Sequence, residues 1–417
     1  MLNALSGYPG GRELLELAGA RDDVALVGGA VRDLLLGHRP RELDVVVAQG
    51  AAELASALVL RLGNAAGADL DAGCESSYHE RFGTAVVRWS GGQIDIATRR
   101  AESYRAPGAL PEVRDGTIED DLMRRDFTVN AIAIPLGGPE RGELVYEGYA
   151  LDDLAAAQLR VLHERSFIED PTRLLRLARY SARLGFEVEP YTAELATAAI
   201  AAGALATISL ARVGGELRLA LGEADSLAAL CELDRLGVLA ALDPRLRFDP
   251  DLARCALSLL PEDGRPDLLL LATLMLAIAV DPDEDPEPAM FGLLHGFELT
   301  AAERQRVMDT ALVASELGRE LKIADLPSEL HEAVRAHTIE AVALGGALAD
   351  SASAAREWIE KLRHVRLEIT GDDLLAAGIP TGPEIGARLS AVLARKLDGE
   401  LPGGRDAELQ AAIAVRR

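Results

Sequence analysis

The run Val27-Gly28-Gly29-Ala30-Val31-Arg32-Asp33 is followed, ten residues after Arg32, by Glu42-Leu43-Asp44. Paired glycines let a backbone approach a triphosphate closely, and the helix start that follows offers unpaired N–H groups. Arg32 falls one turn inside that helix, where it can pair a phosphate. Residues two apart on a strand face the same way, so Glu42 and Asp44 can hold a divalent metal together. This layout suits two-metal phosphoryl transfer, in which one ion activates an attacking 3′-hydroxyl and the other neutralises the triphosphate. Taken singly, the Gly-Gly turn is an ordinary strand-to-helix connection and the acid pair a solvated strand edge. The second alternative is weakened by Leu43, Val45, Val46 and Val47, which make the strand apolar and buried. Two buried carboxylates without a cation would repel, and each would be costly to desolvate. Asp95, within Gln93-Ile94-Asp95-Ile96, sits on another apolar run. It either supplies a third carboxylate or is structural, bonded to a neighbouring arginine.

Two further runs carry charge in a pattern that can meet a nucleotide. Arg124-Arg125-Asp126-Phe127-Thr128-Val129-Asn130-Ala131 sets two arginines beside an acid and a strand-like run, and can lie across a polyanion. Glu169-Asp170-Pro171-Thr172-Arg173 begins a helix, with Asp170 at the cap and Pro171 at the first helical position. Arg173, Arg176 and Arg179 recur every third residue and so share one side of it, which is either a solvated basic face or a binding face. A fixed carboxylate accepts from an exocyclic amine, and a fixed arginine donates to a ring nitrogen or carbonyl. Cytosine and adenine both present an amine beside an acceptor on their pairing edge. An Asp170/Arg173 pair can therefore select C and A and reject G and U, because a mismatched base leaves buried polar groups unpaired.

The elements that must position these residues are mixed α/β up to about residue 145 and helical beyond it, on the spacing of their apolar positions. Expected strands are Val24–Val27, Leu43–Val47, Thr84–Trp89, Ile94–Thr98 and Val129–Ile134. Expected helices include Arg12–Gly19, Val31–Leu36 and Ala51–Leu62, and Gly91-Gly92 reads as a hairpin turn. Past Tyr149 strand signals vanish. Long Ala/Leu/Arg/Glu segments follow, broken at Gly185, Gly203, Pro244, Pro261, Pro282–Pro288 and Pro327, with Asp281–Pro288 read as a surface loop. The 417 residues are too many for one core. A net charge of −24 excludes bulk electrostatic gripping of nucleic acid, so any RNA contact must be local. No long uncharged apolar run indicates a membrane span, and no secretory signal is seen. Three scattered cysteines suit a reducing cytoplasm and form neither a zinc pattern nor a disulfide framework.

Together, in this order and spacing, the four motifs resemble the class II tRNA nucleotidyltransferase (CCA-adding enzyme) and poly(A) polymerase family. The resemblance is strong over the first ~190 residues, where chance coincidence of all four motifs is improbable. It extends more weakly through Ile208–Arg212 and Ile369–Pro383. It implies an α/β nucleotidyltransferase head (1–145), then an all-α neck (146–205), body (206–345) and tRNA-binding tail (346–417), in a seahorse-like arrangement. It implies template-independent addition of CMP and AMP to the 3′ end of tRNA from CTP and ATP, with Mg²⁺. On this resemblance the triphosphate contacts fall on Gly29 and Arg32 and the metal carboxylates on Glu42 and Asp44; Gly28 is counted with the turn, and Asp95 with the catalytic acids, on the reading of the residues above. Nucleotide contacts fall on Arg125, Asp126, Glu169, Asp170, Arg173, Arg176 and Arg179, and the family's flexible loop on Arg99–Gly116. The acceptor arm and 3′ end of tRNA are the implied partners. The family usually has aspartate where Glu42 stands, and the extra methylene lets the carboxylate reach ~1.5 Å further. Alternatives are an A-adding or CC-adding enzyme, then a poly(A) polymerase, and last an RNA-binding protein that has lost its chemistry.

Overall fold

The computed structural model describes residues 1–65, 74–79, 83–281, 283–401 and 403–415. Pro282, named above among the helix breaks, lies outside the described residues. The chain divides into two compact units, 1–208 with 236–241, and 209–235 with 242–417.

The first unit is built on a seven-stranded sheet. Its strands are β1 (Ala25–Val27), β2 (Leu43–Val47), β3 (Glu75–His79), β4 (Thr84–Trp89), β5 (Gly92–Thr98), and, beyond a separate pair β6 (Arg100–Ser103) and β7 (Glu112–Asp115), β8 (Ile132–Pro135) and β9 (Val145–Tyr146). The order is β3-β4-β5-β2-β1-β8-β9, with β2 parallel to β5 and β1 antiparallel to both β2 and β8. Leu26, Val27, Leu43, Val45, Val47, Ile94 and Ile96 are fully buried, which makes β1, β2 and β5 the rigid centre of the unit. Helices α1 (Leu2–Ser6), α2 (Gly11–Ala18), α3 (Gly29–Leu35), α4 (Ala51–Ala65) and α5 (Ile118–Met123) surround it. Beyond the sheet come α6 (Ala150–Ala155), α7 (Ser166–Glu169), α8 (Thr172–Leu184) and α9 (Pro190–Ala201).

The structure departs from the sequence-based expectations at four places. Glu42 precedes β2 rather than lying on it. Val129 and Asn130 belong to a 3₁₀ turn, Thr128–Asn130, so the strand starts only at Ile132. The Asn130 side chain is bonded to Asp126 and Arg32, and that local network competes with the strand ladder. Strand structure also persists past Tyr149, where Gln158–Leu159 pairs in parallel with Glu187–Val188. Finally, the helix Pro286–Gly296 begins inside the expected 281–288 loop: the Asp285 side chain accepts from the Glu287 amide, and Pro286 occupies the first turn.

The second unit is helical, from Leu210–Leu221 to Arg405–Ala414. One core gathers Leu317, Leu321, Val334, Val342, Trp358 and Ile359. A smaller one gathers Ile369, Leu374, Val392, Ala411 and Ala412 at the C-terminal end. Among the described residues no helix is long and apolar enough to cross a membrane.

Candidate active site

Parallel pairing of β2 with β5 sets Asp44 directly opposite Asp95. In-register residues leave a sheet on the same face. Glu42, just before β2, is exposed and completes the acidic group. Burial is the chief cause that pushes the Asp44 carboxyl up to about 7, and the negative charges of Glu42 and Asp95 add to it against Arg125 and Arg32. Glu42 is raised as well, because the surrounding chain strips part of its carboxyl's hydration and Asp95 repels it, against Arg183, Arg41 and Arg179. Burial raises Asp95, opposed by a 2.7 Å hydrogen bond from the Gln93 amide and by the charge of Arg88. Asp95 thus has a glutamine partner, not the arginine partner considered from sequence. Among the described residues no group of three or more His, Cys, Asp or Glu side chains is disposed to hold a metal ion. The fit to a divalent cation rests on charge and donor chemistry: carboxylates raised chiefly by burial, and for Glu42 and Asp44 also by neighbouring acids, are relieved by a hard cation that takes oxygen ligands.

The glycine turn abuts this group. Gly28 has φ +69° and ψ −136°, a left-handed conformation that glycine adopts without strain. A Cβ there would run into the Arg125 guanidinium. The Gly28 amide donates to the Ile132 carbonyl at 2.9 Å, so the turn is tied to β8 rather than presenting that N–H to a phosphate. Gly29 opens α3. Arg32 is 1% exposed, and its guanidinium is held by Asp33 (2.6 Å) and Asn130 (2.5 Å). It belongs to the floor of the site rather than projecting from it.

Arg125 is held by Asp121, which also takes Arg124. Burial would raise the Asp121 carboxyl, but the two arginines overcome it and hold the carboxyl below its ordinary range. The Nε of Arg125 is buried and has no hydrogen-bond partner. A cleft of about 380 Å³ beside it is lined by Asp44, Asp95, Arg124 and Arg125 over the apolar floor of Val27, Val46 and Ala97.

Helix α8 turns its arginines inward, which excludes a solvated basic face. Arg173 is 4% exposed and donates to Ser166 Oγ and to the Arg124 carbonyl, each at 2.6 Å. Arg176 is bonded to Asp126 at 2.6 Å, and Arg179 is 6% exposed with its guanidinium 4.9 Å from the Tyr180 ring centre. Asp126 therefore faces inward as the anchor of Arg176. Burial would raise its carboxyl, but Arg176 and the Asn130 amide hold it well below the ordinary carboxylate range. Asp170 accepts from the Thr172 amide and hydroxyl. Glu169 accepts from Arg165 at 2.9 Å. The Arg99–Gly116 segment is built as a two-stranded hairpin, β6–β7. The amide of Gly108 at its tip donates to the Ile168 carbonyl, and a Cβ on Gly108 would press on the Thr207 carbonyl at 2.7 Å. Tyr104, bonded to Glu102, lies near enough to Arg173 and Asp170 to sense both charges.

The supporting residues Asp33, Asp121, Asn130, Tyr180 and Arg183 were not singled out from sequence. Asp121 carried a local signal in its helical spacing from Arg124 and Arg125, and Asp33 and Tyr180 neighbour Arg32 and Arg179 in the chain. Asn130 and Arg183 meet Arg32 and Asp33 through tertiary packing.

Residues 24–160 match the poly A polymerase head domain. An A-adding tRNA nucleotidyltransferase of Geobacter sulfurreducens is 32% identical over 94% of this chain and 45% of its own. A CCA-adding enzyme of Limosilactobacillus fermentum is 29% identical over 93% of this chain and 91% of its own. The solved structure of a Thermotoga maritima CCA-adding enzyme complexed with tRNA superposes with a TM-score of 0.76 at 26% identity, over 96% of this chain and 94% of that one. Against the first curated relatives it matches, the chain spans about half their length.

Proposed function

We propose that this chain, similar over its length to tRNA nucleotidyltransferases and over residues 24–160 to the poly A polymerase head domain, adds CMP and AMP, without a template, to the 3′ end of tRNA, taking CTP and ATP as donors. The observation that carries this reading is the register of Asp44 with Asp95, with Glu42 beside them and Arg125 against the glycine turn. In this reading Asp44 and Glu42 hold Mg²⁺, which would neutralise the triphosphate and make the 3′-hydroxyl a better nucleophile. Arg32, Arg125, Arg176 and Arg179 meet the phosphates, with Gly28 and Gly29 leaving room for the donor. Asp126 and Asp121 act through the arginines they hold. Asp170 and Arg173 read the pairing edge of C and A, with Glu169 keeping Arg165 to one side. Asp95 acts on Asp44 by charge, as a third acid of the catalytic group.

The same reading divides the chain into a head over 1–145, a neck over 146–205, a body over 206–345 and a tail over 346–417 that takes part in holding tRNA. Three cysteines without a disulfide fit a cytoplasmic setting. A-only addition is the second reading, favoured by the A-adding relative.

Purified protein supplied with tRNA ending before CCA, after C and after CC, with CTP, with ATP and with both together, tests both. Full addition extends all three by the missing residues. A-only addition extends just the last, and no extension of any substrate refutes both readings.

A further inference from the structure

Tyr180 lies on α8, one residue beyond Arg179. The guanidinium carbons of Arg32, Arg176 and Arg179 lie 5.5, 5.5 and 4.9 Å from the centre of its ring. The ring is itself fixed: the Phe127 ring, fully buried, meets it edge-on at 5.9 Å and 80°. The Tyr180 hydroxyl receives only a long 3.4 Å contact from Arg176. Three cations drawn from two elements, α3 and α8, thus share one aromatic side chain. Like charges this close repel, and a ring's negative faces lower that cost without presenting a carboxylate that a phosphate would have to displace. Asp33 also holds Arg32, and Asp126 also holds Arg176.

We propose that Tyr180 is a positioning residue, whose ring gathers Arg32, Arg176 and Arg179 into a receptor formed before the triphosphate arrives. The inference rests on the reading of those arginines as phosphate contacts. Preorganisation of this kind lowers the entropy lost on binding, and so appears in affinity more than in turnover.

The test compares Tyr180→Phe, which keeps the ring, with Tyr180→Leu, which removes it, and uses Tyr180→Met should the leucine variant fail to fold. Inorganic tripolyphosphate binding is followed by calorimetry, and KM and kcat for CTP and ATP are taken from tRNA extension. Loss of the ring is expected to raise the tripolyphosphate Kd and both KM values about tenfold with little change in kcat, while the phenylalanine variant matches wild type. Unchanged Kd in the leucine or methionine variant overturns the inference. So does a phenylalanine variant as impaired as leucine, or a fall in kcat at constant KM. If wild-type protein binds tripolyphosphate but extends no tRNA, the proposed activity fails and the Kd comparison still decides the role of Tyr180. If it extends tRNA yet binds no tripolyphosphate, the inference fails and the activity stands.

Discussion

Asp44 and Asp95 are register partners across the parallel pair β2–β5, so two acids leave the central sheet side by side. Burial raises both carboxyls, and the charges of Glu42 and Asp95 add to the shift at Asp44. Buried, repelling carboxylates of this kind mark functional sites more often than stable cores.

The first expected outcome concerns stability without metal. The folded Asp44 carboxyl titrates at about 7, above its ordinary value of 3.8. A raised carboxyl costs nothing below its unfolded value, and its penalty grows as pH rises toward and through the folded value. In chelator, Asp44→Asn should therefore melt several degrees above wild type at pH 8 and equal to it at pH 4, and with Mg²⁺ restored it should lose the tRNA extension that wild type shows. Thermal unfolding at the two pH values measures this, and equal melting at pH 8 contradicts it.

Asp126 works in the opposite direction. Its depressed carboxyl contributes stability that is present above its unfolded value, near 4, and lost as pH falls toward the folded value. Asp126→Asn also leaves the half-buried Arg176 without this carboxylate partner. Urea unfolding should show a deficit of about 2–3 kcal/mol at pH 7 that shrinks by pH 3. A deficit constant across that range would show that packing, not ionisation, is responsible.

Gly28→Ala meets two obstacles at once, the φ of +69° and the Arg125 guanidinium. Strain of this kind costs about 1–2 kcal/mol. Since Arg125 must also move, KM for both triphosphates should rise along with the loss of stability. Stability loss with unchanged KM would separate the turn from nucleotide binding.

Glu42→Asp withdraws the carboxylate by about 1.5 Å, one methylene. Because Glu42 is exposed and lies off the strand, the shorter side chain has no buried void to leave behind, so melting should be unchanged. The concentration of Mg²⁺ needed for half-maximal extension should rise, and rise further in Glu42→Gln. An unchanged metal requirement in both variants would remove Glu42 from the metal site.

Much of the head was legible because its signals are local. Leu43–Val47 and Thr84–Trp89 were read to the residue from apolar run and alternation. The Asp170–Pro171 helix start was equally plain, though its first helical residue is Thr172. Asn130 was misread because a propensity for strand cannot reveal that Asp126 and Arg32 claim its side chain. The β6–β7 hairpin was missed because its strands, Arg-Ala-Glu-Ser and Glu-Val-Arg-Asp, are polar and carry no apolar period.

Residue type and spacing alone singled out the candidate groups: the Glu42/Asp44 acids, the arginines every third residue on α8, and the glycine turn. Such identities are carried by short motifs and survive without coordinates. Only the tertiary structure decided which way they face. It turned Arg32 and Asp126 inward, brought Asp95 beside Asp44, and drew arginines from two helices around Tyr180. Those outcomes depend on strand order and on partners as far as 98 residues apart, such as Asn130 for Arg32. Burial and long-range pairing select among conformations that the local sequence leaves equally open.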